Sequence, residues 1–195
     1  MNKNIYEIFK YEVFCTKLNL DLKSLKKFSF KLQKNNQGKV KSNVGGWQSE
    51  DLFDEYPIIT ELKKSIAGYV NDFSKEFNFN KKLKLSNLWI NINGYKDSND
   101  AHIHPGSFFS GVFYVKVPKK SGKLTFINPN RDFMEWIFDK NITRYTQKNS
   151  SIWSFEPEEN MLFIFPSSLE HKVTPHMNKT EKRISISFNS ELISN

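Results

Sequence analysis

One cysteine in 195 residues, Cys15, leaves no partner for an internal disulfide. That fits a reducing compartment, and Cys15, next to Phe14, reads as a small core residue more readily than as a reactive thiol. No apolar run approaches the roughly 18 residues of a membrane span, and the mean hydropathy is −0.58. The first residues, Met1 to Glu7, contain no apolar stretch of the secretory-signal kind. A cytoplasmic protein with no membrane partner is the expectation. Arginine is scarce, at 131, 144 and 183 only. Readers of bases and phosphates favour its bidentate fork, so the formal charge of +8 is a weak sign of nucleic-acid binding.

That charge is carried unevenly. Residues 1–84 hold 16 Lys against 10 acids, and the stretch from Lys23 to Lys41 has seven Lys and no acid. A solvated helix face explains this more simply than a polyanion site, although a nucleic-acid partner stays open. Aromatic residues make up 15% of the chain, with 18 Phe. A chain of this length can bury one sizeable core, so a single domain spanning 1–195 is expected.

Residues 5–15 alternate enough to open with a strand. Leu22, Leu25, Phe28 and Leu32 then recur at helical spacing up to Asn35. A loop with paired glycines, Gly45-Gly46, precedes Trp47, which anchors the loop or lines a pocket. Pro57 introduces a second amphipathic helix with its apolar face at 58, 62, 66, 69/70 and 73. From Leu83 the chain reads as β: 83–93, 108–117, 122–127, 150–155, 160–165, 170–174 and 182–189, with a polar loop from Gly94 to Ala101 and a long connection 128–149 that has room for a short helix or a lid. The expected organisation is a mostly helical flank with an N-terminal strand over 1–80 and a double-sheet β core over 83–190.

The chemistry concentrates at the four histidines. His102 and His104, two positions apart, point the same way if their segment is extended, and His171 heads a later strand. Imidazole suits Zn, Cu, Fe and Ni, and non-haem Fe(II) is held by two His and a carboxylate, for which Asp97, Asp100 and Glu170 are the nearby acids. Arg183 stands in a run of Ile, Ser and Phe, where a buried cation needs an anionic partner. A dicarboxylate ligand would supply one, with Ser185 adding a hydroxyl; a protein acid such as Glu181 or Glu170 is the alternative. His171 and Arg183 fit adjacent antiparallel strands facing one cavity. Trp89, Asn91, Asn93 and Tyr114 are further candidates to line it, Asn91 and Tyr114 as cofactor contacts. His176, after Pro175, is expected to be exposed and not to ligate.

Taken together, these residues resemble the Fe(II)/2-oxoglutarate-dependent oxygenases, and within them a bacterial and phage group with a His-X-His-Pro motif and a Ser-Gly-Val-X-Tyr strand. The matching pieces are Ser42-Asn43 with Gly45 to Ser49, Trp89-Ile90-Asn91, His102 to Tyr114, Pro166 to Val173 and Arg183 to Asn189, in order over residues 42–189. The resemblance implies a cupin-like double-stranded β-helix, or jelly roll, with Fe(II) at its open end and 2-oxoglutarate as cosubstrate. His102 would be the first ligand and His171 the distal one, with the far carboxylate of 2-oxoglutarate on Arg183 and Ser185. It further implies a dioxygenase that hydroxylates a substrate with release of succinate and CO2. The usual His-X-Asp is His-X-His here. Three arrangements follow: His104 ligates, which is preferred, water fills the position, or Asp100 swings in. A metal-binding jelly roll without oxygenase activity is the alternative function, and a homodimer is left open.

Overall fold

The computed structural model describes residues 3–6, 10–52, 56–138 and 141–193. In chain order the elements are β1 (Phe14–Lys17), α1 (Leu22–Asn35), β2 (Asn43–Val44), β3 (Trp47–Gln48), α2 (Pro57–Lys75), β4 (Leu83–Asn93), β5 (Ser98–His102), β6 (Phe109–Lys116), β7 (Leu124–Ile127), α3 (Arg131–Phe133) running into a π-helical turn (Met134–Phe138), β8 (Ile152–Phe155), β9 (Met161–Pro166), β10 (His171–Val173) and β11 (Arg183–Leu192). Two antiparallel sheets face each other. The major one runs β1-β9-β6-β11-β4-β3 and the minor one β2-β5-β10-β7-β8.

Period-two alternation explains why the major sheet has two cores. On β4, Leu88, Ile90 and Ile92 point outward, as do Ile184, Ile186 and Phe188 on β11 and Phe113 and Val115 on β6. Both helices lie on that outer face. Pro57 supplies a preset φ at the first turn of α2, and Ile59, Leu62, Ile66, Val70 and Phe73 recur at helical spacing to meet the sheet. Each such buried side chain contributes about 1.5–3 kcal/mol. Asp21 caps α1 by accepting from the Ser24 backbone N–H at 3.1 Å. The expected start of the α2 face at 58 shifts by one residue, because Ile59 is buried and Ile58 only half-buried. The lysines at 23, 26, 27, 31 and 34 lie exposed on α1.

The inner face of the major sheet packs on the minor sheet around Val112, Tyr114, Leu124, Phe126, Phe163, Phe165 and Leu169. This double-stranded β-helix is the arrangement expected. Three details differ from the sequence reading. The polar stretch 94–101 supplies residues 98–101 of β5, held as an inner strand by pairing with both β2 and β10. The opening strand is shorter and later than 5–15: β1 begins at Phe14, and residues 7–9 of the expected span lie outside the described residues. Cys15 is exposed on β1 rather than buried. Trp47 anchors its loop, its Nε1–H donating to the Asn36 carbonyl at 2.9 Å. Among the described residues no helix is long and apolar enough to cross a membrane.

Candidate active site

β5 delivers His102 at its last residue, directly opposite His171 at the first residue of β10. His104 follows two positions on, its backbone N–H donating to the Ser167 carbonyl at 2.9 Å. Ring centroids lie 4.5 Å apart for His102 and His171, 4.9 Å for His102 and His104, and 5.2 Å for His104 and His171. One ligand atom from each of the three falls within 4.8 Å of the others, a cluster able to hold a metal ion.

Two of the rings have their chemistry preset. His102 Nδ1 lies 2.6 Å from the Asp100 carbonyl and His171 Nδ1 lies 2.8 Å from the Leu169 carbonyl. A carbonyl only accepts, so each Nδ1 carries the proton and each Nε2 keeps its lone pair for a metal. Burial, helped by the neighbouring His102, pushes the pKa of His104 down to about 4. The same causes push His171 down to about 3, against the opposing pull of the Leu169 carbonyl. Both imidazoles are therefore neutral near pH 7, which is the form that ligates.

The carboxylates proposed beside the histidines stand apart from them. Asp97 Oδ2 accepts from the Gly94 N–H at 2.6 Å, Glu170 pairs with Arg131 at 2.7 Å, and the Asp100 side chain is exposed. The positive-φ pair Gly45 and Gly46 brings its loop against Asp97 and Asn93; a Cβ on Gly46 would stand 2.9 Å from Asn93 Nδ2. His176, expected to be exposed, is fully buried, with Nε2–H donating to the Glu181 carbonyl at 2.7 Å. The turn 174–182 folds back over Lys96 and Asp97 and carries His176 inward. It takes no part in the metal-binding cluster.

Arg183 is 1% exposed. Its Nη1 donates to the Ser121 carbonyl at 2.6 Å and its Nη2 to Asn93 Oδ1 at 3.0 Å, while Nε has no partner. Glu181 pairs with Lys116 at 2.9 Å and Glu170 with Arg131, so neither acid neutralises it. Arg183 and His171 face one cavity, but from opposite sheets rather than from adjacent strands: β11 belongs to the major sheet and β10 to the minor. Sequence spacing cannot tell a neighbouring strand from a facing one.

The inner face of the major sheet presents its residues to that cavity in rows. Asn91 on β4, Ser185 on β11 and Tyr114 on β6 form one row across three strands, and Asn93 and Arg183 start the next. Asn91 Nδ2 donates to Ser187 Oγ at 3.1 Å; Asn91 Oδ1 and the Tyr114 hydroxyl are buried without partners. Burial raises the Tyr114 phenol to about 12 against the pull of Arg183, so it stays a donor. Buried polar atoms without partners are uncommon, and donors gathered on one cavity are ready for an anionic ligand. Three histidine nitrogens at one end and Arg183 at the other suit a metal and a dicarboxylate respectively. Trp89, His102 and His104 line both this cavity and a second, open groove that sequence reasoning did not anticipate, lined also by Lys39, Lys41, Gln48 and Asp51.

Comparison with known proteins agrees with this chemistry. None of the curated proteins matches the chain. Among solved structures it is similar to a Pseudomonas putida prolyl-4-hydroxylase, with a TM-score of 0.64, 10% identity and 94% of each chain covered. It is also similar to a viral collagen prolyl hydroxylase from Paramecium Bursaria Chlorella virus-1, in complex with 2-oxoglutarate (TM-score 0.62, 11% identity, 93% of this chain and 96% of that one). HygX from Streptomyces hygroscopicus, solved with nickel and 2-oxoglutarate, gives a TM-score of 0.62 at 10% identity over 91% of this chain and 82% of that one. At such identities these likenesses speak for the fold. Residues 87–189, just over half of the chain and the part that holds the histidines, Tyr114 and Arg183, match the family described as "Putative 2OG-Fe(II) oxygenase". The chain belongs to the 2OG-Fe(II) oxygenase family, and Fe(II) and 2-oxoglutarate are its cofactors.

Proposed function

We propose that His102, His104 and His171 hold the Fe(II), and that Arg183, Ser185, Asn91 and Tyr114 seat 2-oxoglutarate. One observation carries this reading. A fully buried guanidinium with no carboxylate within ion-pair reach among the described residues shares a cavity with three converging imidazoles. With both groups bound, the centre supplies oxidative decarboxylation to succinate and CO2 coupled to hydroxylation of a substrate.

The protein's part is positioning and exclusion of water. Asn93 and Ser121 fix two guanidinium nitrogens, so Arg183 meets the far carboxylate already oriented, and the free Nε–H and Tyr114 O–H donate to it. Turning the Asn91 amide about lets Ser187 donate to Oδ1 and presents Nδ2 to the same ligand. The Asp100 and Leu169 carbonyls hold two imidazole rings in the tautomer that leaves Nε2 free. Phe126 and Phe165 pack against His171 and keep that side dry. Both helices share one core with the major sheet, which supports a single domain as the working unit.

The test is anaerobic titration of Fe(II) and then 2-oxoglutarate into the protein, following the visible charge-transfer band of the chelate. The band should appear in the wild type and weaken in Arg183→Ala. Iron binding with no response to 2-oxoglutarate would replace this reading with a metal-binding jelly roll lacking oxygenase activity.

A further inference from the structure

The inner face of the major sheet carries one more polar row, beyond those that face Arg183. Asn87 on β4, Asn189 on β11 and Ser110 on β6 stand side by side, two strand positions past Trp89, Ser187 and Val112. Asn189 Nδ2 donates to Asn87 Oδ1 at 3.0 Å, and Ser110 Oγ donates to Asn189 Oδ1 at 2.7 Å. The oxygen and nitrogen of both amides can be exchanged along such a chain. In either orientation one end of the Asn87 amide is held by Asn189, and the other opens into the groove that Asn87 lines with Trp89, His102 and His104. Gln48 on β3, opposite Asn91, lines the same groove. It is only 8% exposed, and its side-chain amide meets no partner among the described residues. A nearly buried amide without partners is uncommon, and in a groove it is placed to find them on a ligand.

These amides restrict what can enter. An amide offers a donor and an acceptor side by side; a hydroxyl meets both, whereas a carboxylate or phosphate only accepts. The charges around the groove are close to balanced: Lys39 pairs with Glu50, and Lys41 and Asp51 both line it. Its apolar lining is limited to Trp89 and Ile103, which leaves little to receive an apolar side chain. An extended peptide would also look for a free strand edge, and on the edge strand β3 the Gln48 carbonyl already accepts from the Lys39 N–H at 2.8 Å. Trp89, its ring centroid 6.0 Å from that of His104, supplies a flat surface, and Asn87 lies roughly 7 Å further along β4. Resting on the proposed metal assignment, we propose that the primary substrate is a neutral saccharide unit, its ring against Trp89 beside the histidines and its hydroxyls on Asn87 and Gln48. Asn87 is then a specificity-determining residue that belongs to neither the metal nor the cosubstrate set.

The test uses full-length protein loaded with Zn(II) and 2-oxoglutarate, and saturation-transfer NMR with small probes. The probes are the methyl pyranosides of glucose, galactose, mannose and N-acetylglucosamine, with acetyl-prolyl-glycinamide and uridine as competitors of other classes. At least one pyranoside should bind, and the peptide and uridine should not. Asn87→Leu should weaken that pyranoside at least about tenfold, the loss expected for a hydrogen bond left unmade, and Gln48→Met should act in the same direction. Zn(II) stoichiometry and far-ultraviolet circular dichroism verify that each variant is folded and loaded. Deoxy forms of the bound pyranoside give a readout that a merely structural role of Asn87 would not move: loss of one particular hydroxyl should weaken binding to the wild type and leave binding to Asn87→Leu as it was. With Zn(II) and 2-oxoglutarate bound, a preference for the peptide or uridine, binding of no probe, or equal pyranoside affinity in the wild type and both variants would overturn this proposal alone. A wild type that takes up no Zn(II) would remove the metal assignment and this proposal with it.

Discussion

His102 and His171 face each other across β5 and β10, and each donates its Nδ1 proton to the carbonyl two residues before it, Asp100 in one case and Leu169 in the other. The two strands thus present a matched pair of Nε2 lone pairs to one point without any side chain in the supporting role. Such orientation is normally supplied by carboxylates or carbonyls, and losing it costs about 10- to 100-fold in metal affinity. Removing the imidazole itself costs more. His171→Ala or His102→Ala should therefore lower Co(II) affinity by more than about 100-fold in isothermal titration calorimetry. Retention of near wild-type affinity by either variant would exclude that residue as a ligand.

Arg183 gives a prediction of the opposite kind, because it should leave the metal alone. Arg183→Met removes the cation proposed to meet the distal carboxylate, and such losses run to about 2–5 kcal/mol. The 2-oxoglutarate dissociation constant of the Co(II)-loaded protein should rise at least about 30-fold while Co(II) affinity stays within a few-fold. Arg183→Lys should fall in between, since it keeps the charge and loses the planar fork. Ligand-induced stabilisation gives a second readout: 2-oxoglutarate should raise the thermal midpoint of the loaded wild type and not that of Arg183→Met.

The stability of the metal-free chain should depend on pH through His104 and His171. Their folded pKa values, about 4 and about 3, lie below the ordinary value of 6.5 expected in the unfolded chain. Between those limits the unfolded chain binds more protons, so stability rises with pH. It is complete above pH 6.5 and lost progressively as the pH falls toward 4 and below. The urea midpoint of the metal-free protein should drop from pH 7 to pH 5, and His104→Gln/His171→Gln should flatten that drop. An unchanged slope in the double variant would show that other groups set the pH dependence.

Gly111 sits where a side chain has no room: a Cβ there would meet the Phe188 ring and the Phe163 carbonyl. The Phe163 backbone belongs to the paired strand β9 and cannot step aside without disturbing the ladder. Gly111→Ala should lower the unfolding free energy by about 1–3 kcal/mol, read as a lower urea midpoint at unchanged slope. A neutral result would mean that β6 and β9 can separate locally.

Much of the site was legible because its residues obey period two. Asn91 and Ser185 can be read as inward-facing from the alternation of polar and apolar positions on their own strands, and so can Arg183, the one cation in its run, whereas Tyr114 sits among Val112, Phe113 and Val115, where no alternation marks a face. What alternation cannot convey is which strands stand side by side. Arg183 and His171 look adjacent from their spacing, yet the turn between them crosses from one sheet to the other. β5 escaped notice because Ser98 to Asp100 carry no apolar signal; its pairing with β2 and β10 comes from backbone groups that every residue has. His176 misled for a related reason, since Pro175 and Asn178 signal a turn but not which way it folds. The groove past Trp89 is assembled from β3, β4, β5 and the loop around Lys41, segments too far apart in sequence to be read together.

The interleaving on β11 separates two kinds of inheritance. Ile184, Ile186 and Phe188 answer to the helices behind the sheet, whereas Arg183, Ser185 and Ser187 answer to the cavity in front. A lineage can therefore retune its chemistry at every second position while its neighbours go on satisfying the fold, so that new substrates are reachable by single substitutions that leave the protein able to form.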